Sequence, residues 1–147
     1  MADIRKVTDS FSVAPQLSPE DMAEAAAMGF TLVIDNRPEG EAPDQPSSGD
    51  METAARAAGL EFVQIPVFGT PGPGQVLAVA DAVATAQGPV LAYCRSGTRS
   101  IVTWSLGQHT SGAQSREDLI ARGQAAGYDL SGVLRSRSPN RRLRVRP

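Results

Sequence analysis

The sequence contains very little cysteine and histidine. One cysteine and one histidine occur among 147 residues, and aromatic residues make up 5% of the chain. A single cysteine cannot form a disulfide within the chain, which excludes a disulfide-stapled scaffold and fits a reducing compartment. The sole histidine, His109, follows a predicted helix far from the predicted strand ends, so we expect it to play no part in catalysis.

Long hydrophobic runs are also missing. The longest apolar stretch, residues 76–86, is interrupted by Asp81 and is too short to cross a bilayer. The first six residues lack the apolar core of a signal peptide. We therefore expect a cytoplasmic protein that does not insert into a membrane.

Basic charge is scarce in most of the chain. The formal net charge is −2, but residues 135–147 hold six arginines and no acidic residue, so residues 1–134 hold eight basic and sixteen acidic side chains. This balance argues against nucleic-acid binding by the body, whereas the tail could contact nucleic acid or acidic lipid. We expect one domain over residues 1–134, which is long enough for a hydrophobic core, and a basic, flexible tail over residues 135–147.

Strand-like and helix-like segments alternate along the chain. Short apolar or alternating runs predict strands, and alanine-rich segments between capping residues and glycines predict helices. The order of these segments predicts an α/β fold with a mainly parallel central sheet and helices on both faces. Predicted strands cover residues 11–14, 31–35, 61–65 and 89–93, and predicted helices cover residues 18–28, 48–58, 75–87, 100–107 and 115–126, with a short last helix after Tyr128.

Three predicted loops follow the carboxyl ends of parallel strands, where ligands bind in such sheets. They comprise residues 36–47, 66–74 and 94–99. We expect these loops to converge and the catalytic groups to come from them alone.

The third loop contains the only cysteine, Cys94. The amides of residues 95–99 and the N-terminus of the following helix can surround one tetrahedral anion, and Arg99 can bind two of its oxygens. The same groups favour a thiolate, which makes Cys94 a candidate nucleophile. The alternative is a buried structural cysteine before an ordinary turn, but the adjacent arginines and Gly97 favour catalysis or anion binding.

Several further segments occur in a defined order along the chain. They are Asn36–Glu41, Gln45–Pro46, Ile65–Val67, Gly88–Ser100, Trp104 and Gly127–Leu130. Together they resemble the phosphatase-like domain family of beta-lactamase hydrolase-like proteins, and the resemblance extends over residues 3–134. It implies a cysteine-phosphatase fold similar to that of the dual-specificity protein tyrosine phosphatases.

The resemblance also implies roles for the residues around Cys94. Cys94 would be the nucleophile, Arg99 the clamp on the oxyanion, and Ser100 a hydroxyl that supports the leaving thiolate. The substrate would be a small anionic or phosphorylated molecule, and neither a cofactor nor a metal is expected, while the oligomeric state stays open. The intervening anion-binding residues would be Arg95, Ser96, Gly97 and Thr98.

Two features depart from the tyrosine-phosphatase signature. Four residues rather than five separate Cys94 from Arg99, and Tyr93 stands where the signature has histidine. The shorter loop resembles that of rhodaneses, which carry a persulfide on the cysteine. In addition, residues 66–80 contain no acidic residue that could protonate a leaving oxygen.

Other polar residues near the predicted strand ends allow two interpretations each. Glu39, Glu41 and Asp44 could supply the missing acid or contact substrate, or they could be solvated loop charges. Asp35 and Arg37 match an Asp-x-Arg pattern of rhodaneses, but a local turn and salt bridge would explain them equally well. We expect Trp104 to be a core residue rather than a stacking platform.

Three functions therefore remain open. The first is hydrolysis of a phosphoester through a phosphocysteine on Cys94. The second is rhodanese-like sulfur transfer through a persulfide on Cys94, with Arg95 and Arg99 guiding an anionic donor. The third is an anion-sensing or binding module with weak or no turnover.

Overall fold

The computed structural model describes residues 2–134, and the predicted basic tail lies outside the described residues. Five strands and five helices occur within that range. The strands are β1 (Arg5–Lys6), β2 (Phe11–Ala14), β3 (Leu32–Asp35), β4 (Glu61–Gln64) and β5 (Val90–Tyr93). The helices are α1 (Asp21–Ala27), α2 (Ser48–Ala57), α3 (Pro73–Thr85), α4 (Thr98–Ser111) and α5 (Arg116–Ala126).

The strands form one sheet in the order β1-β2-β5-β3-β4. Strands β2, β5, β3 and β4 are parallel, and only β1 pairs antiparallel, with β2. The predicted mainly parallel sheet is therefore confirmed. Because β5 lies in the middle, the loop that begins at Cys94 leaves the sheet at its centre.

Apolar side chains on the two faces of the sheet build two separate cores. One face packs against α3, α4 and α5, and its core includes Trp104, whose ring stacks on Phe11 with centroids 4.7 Å apart. The other face packs against α1 and α2 around residues such as Met22 and Met51. Helices therefore cover both faces, as predicted, and Trp104 is a core residue.

Helix α4 extends beyond its predicted end at Gly107 and continues to Ser111. A Cβ atom at Gly107 would lie 3.5 Å from Val76 and 3.7 Å from Ala80. The glycine therefore lets α3 pack closely against α4, and it does not end the helix. The helix instead ends at Gly112, which adopts φ +77°.

Three local features of the structure were not predicted from the sequence. The side chain of Ser47 caps α2 by accepting a hydrogen bond from the Asp50 amide at 3.0 Å. The two-residue strand β1 was not predicted, because a pair this short has no periodicity to detect. After Tyr128 the chain forms turns over residues 131–133, so the predicted last short helix is not found among the residues described up to position 134.

Within residues 2–134, no helix is both long enough and apolar enough to span a bilayer.

Candidate active site

Residues 94–99 form a tight cup directly after β5. Cys94 has no exposed surface, and the Gly97 amide donates a hydrogen bond to its sulfur over 3.1 Å. Gly97 adopts φ +93°, a conformation that other residues rarely take, and it precedes the first turn of α4. The amide that begins the helix is therefore directed at the sulfur of Cys94.

The outer part of the cup is held in place by a residue from the end of the domain. The Tyr128 hydroxyl donates a hydrogen bond to the Ser96 carbonyl over 2.9 Å. The same hydroxyl packs against Gly97, because a Cβ atom there would lie only 2.2 Å from it. The guanidinium of Arg5 lies 5.3 Å from the centre of the Tyr128 ring, which is a cation–π distance.

Arg99, in the first turn of α4, is fixed by two other loops. Its Nη1 and Nη2 atoms lie 2.7 and 2.8 Å from the two carboxylate oxygens of Glu41, which makes a bidentate ion pair. Nη1 also donates to the Val67 carbonyl over 2.9 Å. Hydrogen bonding to Glu41 raises the pKa of Arg99, although partial burial opposes the effect. The guanidinium therefore has one defined orientation beside Cys94.

The contacts of Arg99 to Glu41 and Val67 leave one edge of its guanidinium for a ligand and for the sulfur of Cys94, with which the guanidinium also interacts. A guanidinium has five N–H donors, and the contacts to Glu41 and Val67 use three of them. The other two, on Nε and Nη2, lie on the same edge of the planar group. This edge can bind two oxygens of a tetrahedral anion while Glu41 keeps the opposite edge.

Glu41 is bound by a second arginine from its own loop. Arg37 donates from Nε to the Glu41 carboxylate over 3.0 Å and from Nη1 to the side chain of Gln16 over 3.0 Å. Hydrogen bonds from Arg99 and then from Arg37 lower the pKa of Glu41 to about 2. Glu41 is therefore a permanent carboxylate at neutral pH.

The depressed pKa of Glu41 makes the stability of the protein depend on pH. Because the folded-state pKa lies below the ordinary value of 4.5, this carboxylate stabilises the fold above pH 4.5, and the effect is lost as the pH falls towards about 2. We expect the Glu41→Gln variant to be less stable than wild type at pH 6, with a difference that shrinks as the pH falls below 4.5. Urea unfolding of both proteins across this range measures the difference.

A matched control is Glu52→Gln, which removes an exposed ion pair with Arg56 on α2. Pairs of this kind contribute little to stability, so this variant should follow wild type at every pH. A Glu41→Gln deficit that stays constant down to pH 2 would contradict the assignment of the ion pair to Glu41.

The three carboxylates proposed as acid or substrate contact have different environments. Only Glu41 contacts the arginine of the cup. Both oxygens of Glu39 instead accept from the Ser48 amide, at 3.1 and 3.0 Å, and so satisfy the N-terminus of α2. Asp44 is exposed on the same loop.

Ser100 and Asn36 join the cup to the ends of two other strands. The buried Ser100 hydroxyl donates to the Asn36 side chain over 2.8 Å, so its proton points towards β3. The Asn36 amide in turn donates to the Ile65 carbonyl over 2.8 Å. Ser100 thus braces α4 against the sheet, and this contact directs its proton to Asn36 instead of Cys94.

The remaining anion-binding candidates line the outside of the cup. The Ser96 and Thr98 hydroxyls lie 3.0 Å apart and are exposed, as is Arg95. The Arg95 carbonyl accepts from the Gln16 amide over 3.1 Å, which ties the cup to the end of β2. The exposed face of the loop is therefore polar and accessible.

The Asp-x-Arg pattern forms a local turn, as one of its two interpretations predicts. The Arg37 amide donates to the Asp35 carboxylate over 2.9 Å, whereas the Arg37 guanidinium pairs with Glu41 and not with Asp35. Asp35 is opposite Tyr93 in the sheet register, and Tyr93 faces the core formed with α1 and α2. Burial raises the pKa of Asp35.

The three predicted loops converge as expected, through Glu41, Val67 and Arg99. Gln16 and Tyr128 come from outside these loops, so the expectation that the site is confined to them is incomplete. Gln16 follows β2, a parallel strand whose carboxyl end reaches the same edge of the sheet, and this rule could have identified it. Tyr128 lies in the segment Gly127–Leu130, and the family resemblance is the only sequence signal that indicates it.

Known proteins resemble this chain in sequence and in fold. A beta-lactamase hydrolase-like protein of Xylella fastidiosa is 34% identical over 84% of this chain, although the match covers only 29% of that protein. The crystal structure of a Neisseria meningitidis protein described as a phosphatase candidate superposes with TM-score 0.79 at 30% identity, covering 88% of this chain and 92% of that one.

A more distant structure shares the fold alone. P. aeruginosa TpbA in complex with pTyr has TM-score 0.62 and 12% identity, covering 89% of this chain and 87% of that one.

The family model of the beta-lactamase hydrolase-like protein phosphatase-like domain matches residues 3–111. The chain belongs to this phosphatase-like domain family.

Proposed function

We propose that the protein is a cysteine-dependent phosphatase that hydrolyses a phosphoester through a phosphocysteine on Cys94. One observation carries the proposal: Glu41 and Val67 hold the Arg99 guanidinium, which also interacts with the sulfur of Cys94, and neither of them uses its Nε–Nη2 edge. That edge can bind two oxygens of a phosphoryl group while the sulfur attacks the phosphorus.

The proposed reaction has two steps. The sulfur of Cys94 attacks phosphorus, an S–P bond forms and the P–O bond to the leaving group breaks. Water then attacks phosphorus, the S–P bond breaks, and Cys94 is regenerated as a thiolate with release of inorganic phosphate. In both steps the amides of the cup and Arg99 stabilise the negative charge on the equatorial oxygens.

Family membership is consistent with phosphoryl chemistry. The family is phosphatase-like, and TpbA, which shares the fold, was crystallised with pTyr. A small phosphorylated substrate is consistent with a cup built around a single sulfur. The chain spans less than a third of the length of its Xylella relative, so the proposal concerns this domain and not the activity of the longer protein.

Sulfur transfer through a Cys94 persulfide is the second candidate. Two observations favour it: the four-residue spacing between Cys94 and Arg99, and the binding of both Glu41 oxygens by arginines. A sulfur donor such as thiosulfate releases sulfite without protonation, so this reaction needs no acid. The donor would bind at the same edge of Arg99.

A labelling experiment separates the candidates. The protein is incubated with an aryl phosphate or with thiosulfate, quenched in acid and analysed by intact mass, with Cys94→Ser as the control. We expect a phosphoryl adduct on Cys94 and release of inorganic phosphate, both lost in Cys94→Ser. A gain of one sulfur atom with thiosulfate, without a phosphoryl adduct, would instead indicate sulfur transfer, and binding of sulfate without either adduct would indicate a sensor.

A further inference from the structure

Both carboxylate oxygens of Glu41 accept hydrogen bonds from arginine side chains. Oε1 of Glu41 accepts from Arg37 Nε at 3.0 Å and from Arg99 Nη2 at 2.8 Å, and Oε2 accepts from Arg99 Nη1 at 2.7 Å. These three charge-assisted bonds favour the ionised form, and a proton on the carboxylate would lie beside two guanidinium groups and weaken their bonds to it. Glu41 can therefore orient Arg99, but it cannot deliver a proton to a leaving group.

Other carboxyl groups near the strand ends have different contacts. Glu39 caps the amide end of α2, and Asp35 accepts from the Arg37 amide on the face of the sheet that carries Tyr93. Asp44 is exposed, and among the described residues no hydrogen bond or ion pair joins it to the cup. The loop formed by residues 66–74, whose Val67 carbonyl binds Arg99, contains no acidic residue. The Tyr128 hydroxyl is also engaged, because it donates to the Ser96 carbonyl.

We propose that the site cleaves phosphoryl donors whose leaving group departs as a stable anion, such as acyl phosphates and esters of acidic phenols, without a proton from the protein. The proposal rests on the proposed phosphatase activity and names the substrate class of the same site. Its basis is that Glu41, the carboxylate in contact with Arg99, is used on both oxygens to hold two arginines.

The first step balances without an acid. The sulfur of Cys94 forms the S–P bond, and the P–O bond breaks with its electron pair on the leaving oxygen. That oxygen departs as a carboxylate or phenolate and takes a proton from bulk water only if its basicity requires one. No electron is gained or lost, and the second step returns the thiolate and inorganic phosphate.

Leaving-group basicity should therefore control the rate. A positioned general acid usually contributes about 10²- to 10⁴-fold, and its contribution is largest for basic leaving groups. Without it, alkyl phosphates such as phosphoserine should react far more slowly than acyl phosphates. An enzyme with a proton donor would show little of this difference.

The test measures the first step with a series of substrates. The burst of leaving group is followed in the wild-type protein with acetyl phosphate, with aryl phosphates of graded phenol acidity and with phosphoserine. We expect the burst rate to fall progressively as the leaving-group pKa rises across the aryl series, and to be at least about 10²-fold lower for phosphoserine than for acetyl phosphate. Glu41→Gln should lower every rate by a similar factor and leave this slope unchanged, because Glu41 acts through Arg99.

The outcomes separate this inference from the proposed function. A burst rate that is independent of the leaving group would overturn the inference while the phosphatase activity stood. A slope that becomes steep only in Glu41→Gln would also overturn it and identify Glu41 as the acid. Absence of phosphate release from acetyl phosphate and every aryl phosphate would overturn both proposals. The wild-type slope tests the inference even if Glu41→Gln does not fold.

Discussion

Replacement of Arg99 by lysine is expected to lower kcat/KM for an aryl phosphate on the order of a thousandfold. Lysine keeps the positive charge but concentrates it on one ammonium group, which cannot reproduce the two planar edges with which a guanidinium binds two phosphoryl oxygens and Glu41 in bidentate fashion. The Arg99→Lys variant should also lose most of its affinity for sulfate. Steady-state kinetics and sulfate titration by calorimetry measure the two effects.

Arg56→Lys is the matched control for this variant. Arg56 forms an exposed ion pair with Glu52 on α2, so the same exchange there leaves the cup intact. We expect its kinetics and its sulfate affinity to equal those of wild type. Unchanged sulfate affinity in Arg99→Lys would contradict the assignment of Arg99 as the oxyanion clamp.

The second large effect is expected from Gly97→Ala, which should lower kcat/KM on the order of a hundredfold, because small displacements of catalytic groups are costly. A Cβ atom at this position would lie 2.2 Å from the Tyr128 hydroxyl and 3.4 Å from the Ala14 backbone, so the loop must shift. The shift would move the Gly97 amide away from the sulfur of Cys94. Kinetics and urea unfolding of the variant test both the site and the fold.

Gly112→Ala separates the clash from the backbone strain. Gly112 ends the same helix with φ +77°, and a Cβ atom there would meet nothing within 4 Å. It should cost about 1–2 kcal/mol of stability for the left-handed conformation and leave kcat/KM unchanged. If Gly97→Ala retained wild-type kinetics, the cup would not depend on the contact between Gly97 and Tyr128.

The parallel sheet was predictable from the sequence because its strands carry strong local signals. The buried apolar runs that became β3 and β5 stand between glycines and prolines, and their alternation with helices left a parallel order as the simplest solution. The end of α4 was not predictable in this way. A glycine such as Gly107 typically ends a helix. Only its packing against Val76 shows that it instead allows close contact between α3 and α4.

The cup could be located from the sequence, but the pairing of its charges could not. Cys94, Gly97 and Arg99 lie within one short segment, and their chemistry alone indicates an anion site. Glu41 lies 58 positions away from Arg99 along the chain, so its selection over Glu39 depends on how the loop folds. From the sequence alone, Glu39 and Glu41 are equally good candidates for the acid. In the folded loop, Glu39 instead caps helix α2.

The burial of the cysteine gives the protein an internal reporter. Cys94 carries the only thiol among the 147 residues, and it has no surface exposed to solvent. Alkylation by any thiol reagent therefore marks one atom, the sulfur at the floor of the cup. Protection from alkylation by an added oxyanion reads out occupancy of that pocket without any knowledge of the natural substrate.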